Sequence, residues 1–451
     1  LTASMRRDGS SRFGAENKFA NFPAVSAGWL ITKDYNILKS LNFLKLKASW
    51  GKNGNEASLS DYGFTTIIDP VRYVFGSDQT LAVGSAPTVP ANPELKWEVS
   101  TQTDFGFDAG LFNDRVTLTV DYFIKKTDDI LIPASILATA GSGINGSSPP
   151  FQNIGSMENK GWEFAVGYRN NFGQLNVDIA ANATFIKNTV TGLGDFTTPF
   201  SSGYNQGLGG NTTRMEEGMP LGFFYGYVTD GVFENRFEVK EYLNAAGEEI
   251  QPKAEAGDFK FVDINGDGII SDLDQTMVGN PYPDAVIALT TSLDYKGFDL
   301  NIFLQGTVGN DIVNATTRYD LLVSNLPSAR FNRWTPDNID TDQPAMSITD
   351  LNQNFRFSDY FVEDGSYLRL KTVQLGYTLP KAFTRKFLVE KFRVYISAQN
   401  LLTFTNYTGL DPEIGKANPY DNSISSNLNY GVDRGLYPQA KIFMGGINIQ
   451  F

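Results

Sequence analysis

The chain runs to 451 residues with a net charge of −13 and a pI near 4.7, and it contains no Cys and no His. Those two absences exclude disulfide frameworks, zinc fingers, thiol nucleophiles and Ser-His-Asp triads, leaving carboxylates, Lys or Tyr for any acid–base chemistry. The acidic balance argues against nucleic acid as a partner, because phosphates demand a basic surface.

Aromatic residues make up 13% of the chain, with 34 Phe and 20 Tyr. That is rich for a globular protein and expected of a membrane barrel with interfacial girdles. Mean hydropathy is −0.23, and no apolar run approaches the ~18 residues of a transmembrane helix. Spanning strands escape such a scan, since each needs only ~9–11 residues and half of them face a polar lumen. No secretory signal opens the sequence. A barrel must be exported, so the expectation is that Leu1 is not the natural start and that Phe451 is a real end.

Period-two patterning predicts strands at about 1–7, 19–33, 42–51, 96–112, 115–126, 157–169, 174–188, 284–295, 298–310, 360–379, 392–404 and 437–451. Val116, Leu118, Val120, Tyr122 and Ile124 alternate with Thr117, Thr119, Asp121, Phe123 and Lys125. Similar alternation runs from Val177 to Phe185, Leu300 to Leu304 and Phe392 to Ala398. Such runs exceed the usual soluble strand of ~5–6 residues. In the last strand Phe443, Ile447, Ile449 and Phe451 share one face, with Asn448 and Gln450 on the other. That pattern suits a strand closing a barrel against lipid, or the exposed edge of a soluble sandwich.

Connections fall into two sizes that alternate along the chain. Those at 113–114, 169–173, 296–297 and 380–391 are short, while 8–18, 52–94, 127–156, 189–283, 311–358 and 405–436 are long and rich in Gly, Asn, Asp, Ser and Pro. Short turns on one side and long loops on the other are the mark of an outer-membrane barrel, and a soluble sandwich has no reason to sort them. The same parity requires an even number of spanning strands in 189–283, with zero the best fit. Gly222 to Tyr227 (GFFYGY) therefore reads as part of a folded extracellular insert, and Phe451 falls at the periplasmic end.

Within that insert, Asp263-Ile-Asn265-Gly-Asp267-Gly268 matches the calcium loop D-x-N-x-D-G. Hard calcium wants oxygen ligands. Asp263, Asn265 and Asp267 would supply side-chain oxygens, Ile269 a carbonyl, and Asp274 the twelfth position, where Asp is shorter than the usual Glu. No flanking helices are evident, and the competing reading is an Asx-rich turn that folds without metal.

Other candidates are weaker. Glu216-Glu217, Asp128-Asp129 and Glu248-Glu249 could be read as glycosidase carboxylates, but adjacency in sequence does not supply the required ~5–9 Å separation across a cleft. Arg6, Arg7 and Arg12 suit the lumen or lipid headgroups. Trp29, Trp50, Trp97 and Trp162 lie on predicted strands and suit girdles, whereas Trp334 sits in a long loop where it could stack on a ligand.

Seven spaced segments then carry a resemblance. They are RRDGSSRFGAENKFANFPAVSAGW (6–29), LKLKASWGKNGN (44–55), NPELKWEVSTQTDFGFDAGLFNDR (92–115), NIGSMENKGWEF (153–164), GDFKFVDINGDGIISDLDQTMVGNPYPD (257–284), VEDGSYLRLKTVQLGYTLP (362–380) and QNLLTFTNYTGLDPE (399–413). In this order the chain resembles the C-terminal part of the SusC/RagA family of TonB-dependent outer-membrane transporters. The resemblance implies an all-β fold, a transmembrane antiparallel barrel of 22 strands of which about 12 lie here. It also implies an N-terminal plug, a SusD-like surface lipoprotein partner, and TonB-driven import of glycan or peptide fragments. The sequence departs from the family pattern in having no plug, no TonB-binding box and no export signal, so the expectation is a C-terminal fragment.

Three function classes stay in play. The first is active import of an oligomeric nutrient by the parent transporter, without catalysis. The second is a self-sufficient 12-stranded passive pore or outer-membrane enzyme, the latter weakened by the lack of His. The third is a soluble carbohydrate-binding β-sandwich stapled by the calcium loop.

Overall fold

The computed structural model describes residues 1–35, 40–57, 59, 61–133, 150–194, 199–203, 206–317, 325–326, 328–416 and 427–451. Twelve strands form one sheet in chain order. They are β1 (Thr2–Gly9), β2 (Phe19–Leu30), β3 (Leu41–Asn55), β4 (Glu98–Leu111), β5 (Val116–Pro133) and β6 (Phe151–Phe172), followed by β7 (Leu175–Gly192), β8 (Ala285–Tyr295), β9 (Phe298–Val308), β10 (Tyr367–Thr378), β11 (Lys391–Thr405) and β12 (Ile442–Gln450). Every strand expected from the alternation is present. The expected strand at 360–379 begins later, at Tyr367, because Val362–Asp364 pairs instead with Asp311–Asn314 in a separate small sheet.

The alternation in sequence becomes two chemically opposite faces through register. One cross-strand row reads Val177, Leu293, Leu300, Leu375 and Ile396. The neighbouring row, one residue along, reads Asn176, Asp294, Asp299, Gly376 and Tyr395. A slip of one residue would exchange the faces, so each apolar side chain helps to fix the pairing. Turn chemistry agrees. Lys296 and Gly297 both take positive φ (50° and 89°), as a two-residue hairpin loop between right-twisted strands requires.

The chain divides into two compact units, the first built on Leu1–Phe164 and Lys187–Thr198, the second on Ala165–Ile186, Pro199–Asp421 and Ser425–Phe451. In the first, the long connections settle on a small core of Phe13, Phe22, Leu59, Leu95, Trp97 and Leu131. In the second, the connections carry a larger body of structure, here called the cap. Its sheets are a four-stranded one that includes Phe223–Gly226, a two-stranded one (Thr229–Val232 with Phe259–Phe261), and the small sheet at 311–314, 362–364 and 432–433. GFFYGY thus belongs to a sheet other than the twelve-stranded one.

Candidate functional site: an ion-paired face and a folded cap

On the polar face of the first unit, Lys47 Nζ lies 2.9 Å from both Asp108 Oδ1 and Asp121 Oδ2. Lys47 on β3 and Asp121 on β5 reach each other across Gly106 on β4, where an added Cβ would sit 2.0 Å from Asp121 Oδ1. The second unit repeats the device. Arg393 on β11 donates from Nε to Asp299 Oδ1 on β9 at 2.8 Å and makes a second contact through its Nη2. It passes over Gly376 on β10, whose Cβ would meet Arg393 Nη2 at 2.5 Å. Both are bridges over a missing side chain, and they leave this face charged and polar while the opposite face carries apolar rows such as Val177, Leu293, Leu300, Leu375 and Ile396.

The cap is closed by apolar residues from three separate connections. Leu208 and Phe224 pack with Val313, Ala315, Phe357 and Phe361, and with Val432. Tyr227, Val232, Phe259 and Phe261 form a second cluster that takes in Trp334 and Tyr360. Three buried amides seal the edge of Phe259–Phe261. Gln251 and Asn352 each donate to Phe259 O at 3.0 Å, Phe259 N donates to Asn354 Oδ1 at 2.9 Å, and Phe261 N donates to Gln251 Oε1 at 2.8 Å. Asn354 also donates to Asp258 Oδ1 at 2.7 Å, but burial outweighs that bond and pushes the Asp258 carboxyl above its ordinary range.

Where β10 meets the cap, Arg369 is buried and held by Asp411 (2.5 Å) and Glu413 (2.9 Å), with Lys371 on Glu413 at 2.6 Å. Burial opposes the Asp411 charge. The Arg369 bond and the N–H donors of Gln439 and Glu413 outweigh that burial and hold its carboxyl below the usual range.

The calcium-like loop is held by main-chain amides. Asp263 accepts from Gly266 N and Gly268 N, both at 2.8 Å. Asn265 Oδ1 accepts from Asp267 N at 2.8 Å, and Asp267 Oδ1 accepts from Ile269 N at 3.0 Å. Asp274 is fully buried and accepts from Ile264 N (3.0 Å), Asn265 N (3.3 Å) and Ser271 N (2.7 Å), which closes the loop across its two ends. Gly268 takes φ +87°, a conformation side chains resist. Among the described residues no group of three or more acidic side chains is placed to hold a metal. The five expected residues do form one loop, with the side-chain oxygens of Asp263, Asn265, Asp267 and Asp274 engaged by N–H donors.

Comparison with known proteins decides the family. A model described as "TonB dependent receptor-like, beta-barrel" matches residues 1–401. The chain belongs to the TonB-dependent receptor β-barrel family. TonB-dependent receptor P3 of Formosa agariphila is 37% identical over the whole chain and 44% of its own length, and TonB-dependent receptor SusC of Bacteroides thetaiotaomicron is 30% identical over the whole chain and 42% of its own length. Among solved structures, the RagAB peptide transporter superposes with a TM-score of 0.78 at 26% identity, covering the whole chain and 45% of the solved one. The chain therefore spans less than half the length of the receptors it matches, and it is of the SusC/RagA type. Barrels of this family sit in the outer membrane.

Within this receptor chain several sequence expectations change. Trp97 is no girdle residue: it is buried with Phe13 (4.9 Å) and Phe22 (5.7 Å), because it precedes β4 and lies under the connection carrying Leu59 and Leu95. Trp334 is no open stacking platform, since its Nε1 donates to Glu234 O at 3.1 Å and its ring joins the Phe259 cluster. Trp29 and Trp162 are exposed as expected, Trp162 with Tyr122 at 4.9 Å. The carboxylate pairs are tied to cations, Glu216 to Arg214, Asp129 to Lys96 and Glu249 to Lys240. Arg6 and Arg12 hold different partners, Asp8 and Asp61, and Arg7 lies over the Phe19 ring.

Proposed function

We propose that this chain forms the C-terminal part of the barrel of a TonB-dependent importer. The importer carries oligomeric nutrients, glycan or peptide fragments, across the outer membrane and works with a SusD-like surface lipoprotein. The observation that carries the reading is the twelve-stranded meander with hydrocarbon rows on one face and glycine-bridged ion pairs on the other. That is how a multi-pass wall between lipid and a filled lumen is built. The alternation of connection lengths supports a periplasmic position for Phe451 and an extracellular one for the cap, including the insert at 189–283. Coupling to TonB, the plug and the complete barrel of 22 strands follow from the family resemblance. The RagAB assembly is described as a peptide transporter, while the resemblance to the SusC/RagA family favours glycan slightly. The role is transport and not catalysis.

The test is growth of the native organism with the receptor gene deleted, on oligosaccharide or oligopeptide as sole nutrient. Loss on one class that needs intact TonB supports the reading. Unchanged growth, together with TonB-independent conductance of the purified receptor in bilayers, favours the passive pore. Extraction into buffer without detergent favours the soluble sandwich.

We further propose that the 263–274 loop takes up calcium in a structural role, through oxygens of Asp263, Asn265, Asp267 and the Ile269 carbonyl, with Asp274 at the closing position. The oxygen-only donor set suits a hard cation, and each carboxylate oxygen that accepts one N–H keeps a further lone pair. Calorimetric titration of chelator-stripped receptor with calcium should give a single site that Asp263→Asn weakens. Heat identical to the variant's would reject the site.

A further inference from the structure

The short connection between β10 and β11 carries structure of its own. Lys381–Thr384 forms one helical turn and Arg385–Phe387 a second, tighter one. The connection is docked at both ends, by Leu379 N to Phe392 O at 2.9 Å and Glu390 N to Gln450 O at 2.7 Å. Between it and the strands lies an apolar groove of ≈ 320 Å³ walled by Leu379, Phe383, Val389, Phe392, Ile449 and Phe451. Phe392 pairs with Ile449 and, two residues on, Val394 pairs with Ile447, so the groove continues the hydrocarbon rows of β11 and β12.

Two further observations point to its occupant. Leu388, at the tip, takes φ +58°, a conformation suited to Gly or Asn, and presents an aliphatic side chain that is 87% exposed. Lys381, Arg385 and Lys386, all exposed, flank the groove residues Phe383 and Thr384 in sequence, with Glu390 the one acidic residue of the connection, on a chain whose net charge is −13. An apolar slot on the lipid-facing side, walled in part by a connection that carries three exposed cations, matches one ligand chemistry: acyl chain below, phosphate above.

We propose that this connection seats an anionic phospholipid of the leaflet at that rim. The acyl chain lies in the Phe383–Phe392–Ile449 groove, Leu388 dips into the acyl layer, and the headgroup phosphate lies against Lys381, Arg385 and Lys386. The inference rests on the membrane placement proposed above.

The experiment is native mass spectrometry of the full-length receptor released from nanodiscs of phosphatidylglycerol mixed equally with phosphatidylcholine. Wild type should retain phosphatidylglycerol preferentially, and Lys381→Glu/Arg385→Glu/Lys386→Glu should erase a preference on the order of 10- to 100-fold, as expected for three cations at a charged surface. Phe383→Ser/Leu388→Asp should shorten retention of both lipids while leaving the preference. A Lys240→Gln control in the cap should change neither. Equal retention of the two lipids by wild type overturns the proposal, as does loss of the preference to millimolar inorganic phosphate, which would mark a free-anion site. Variants that hinder assembly, but whose assembled fraction (scored by heat-modifiable gel mobility) keeps the full preference, also overturn it and point to an assembly factor. A receptor that never partitions into the membrane would instead reject the membrane reading itself.

Discussion

The wall and the cap of the second unit solve opposite problems with the same residue types. In the wall, Val394, Ile396, Phe404 and Ile447 are exposed, while Arg393 and Asp299 are drawn together out of solvent. In the cap, Phe223, Phe224, Phe233, Phe259 and Phe261 are fully buried, and charged side chains such as Glu241, Glu248 and Lys253 point outward. Each region places its hydrocarbon away from water, but only the cap does so by folding upon itself. The wall relies on lipid, so its stability belongs to the membrane, whereas the cap carries its own core.

The contrast is broken most strongly in the cap's centre. Phe224→Ala should cost about 3–5 kcal/mol by leaving a cavity among Leu208, Val313 and Phe357. Limited proteolysis should then cut the cap while the wall keeps its heat-modifiable gel mobility. In the wall, Ile396→Lys should cost up to about 2–4 kcal/mol, yet Ile396→Ala far less, because the side chain meets lipid and not a packed core; denaturant unfolding in detergent-free bilayers reads both. Equal costs for Ile396→Ala and Phe224→Ala would erase the distinction.

Asn354→Ala should remove about 1–3 kcal/mol from the cap by removing the partners of Phe259 N and Asp258 Oδ1, measured as cap melting by tryptophan fluorescence. The smallest effect is on pH. Asp411 is held below its unfolded value, so its contribution is present above an unfolded pKa of about 3.9 and lost as pH falls through the folded value. Asp258 is raised, so its contribution is full below that unfolded value and fades as pH rises through the folded one. Cap melting followed from pH 7 downward should first rise and then fall, and Asp411→Asn should flatten the falling limb.

The wall was legible because period-two alternation and connection length are local properties, readable strand by strand. Trp97 was misplaced for the reason that helped elsewhere: it sits beside a run of alternating residues, and only the folded connection shows it under Leu59 and Leu95. The cap core was out of reach, since Phe224, Phe357 and Val432 meet across more than a hundred residues of sequence with no shared period. The Lys47–Asp121 and Arg393–Asp299 bridges are likewise invisible until register brings Gly106 and Gly376 between their partners. At the 263–274 loop the motif identified the residues, and the structure added that amide donors alone already hold the turn.

The amide seal at Phe259–Phe261 has a consequence for association between chains. A strand edge with free N–H and C=O groups is a template on which any extended segment can zip. Here Gln251, Asn352 and Asn354 occupy those positions with side chains that end in solid packing, so the register cannot be continued by a stranger. In the extracellular placement proposed above, this edge of the cap therefore offers no backbone to neighbouring copies or to passing peptide.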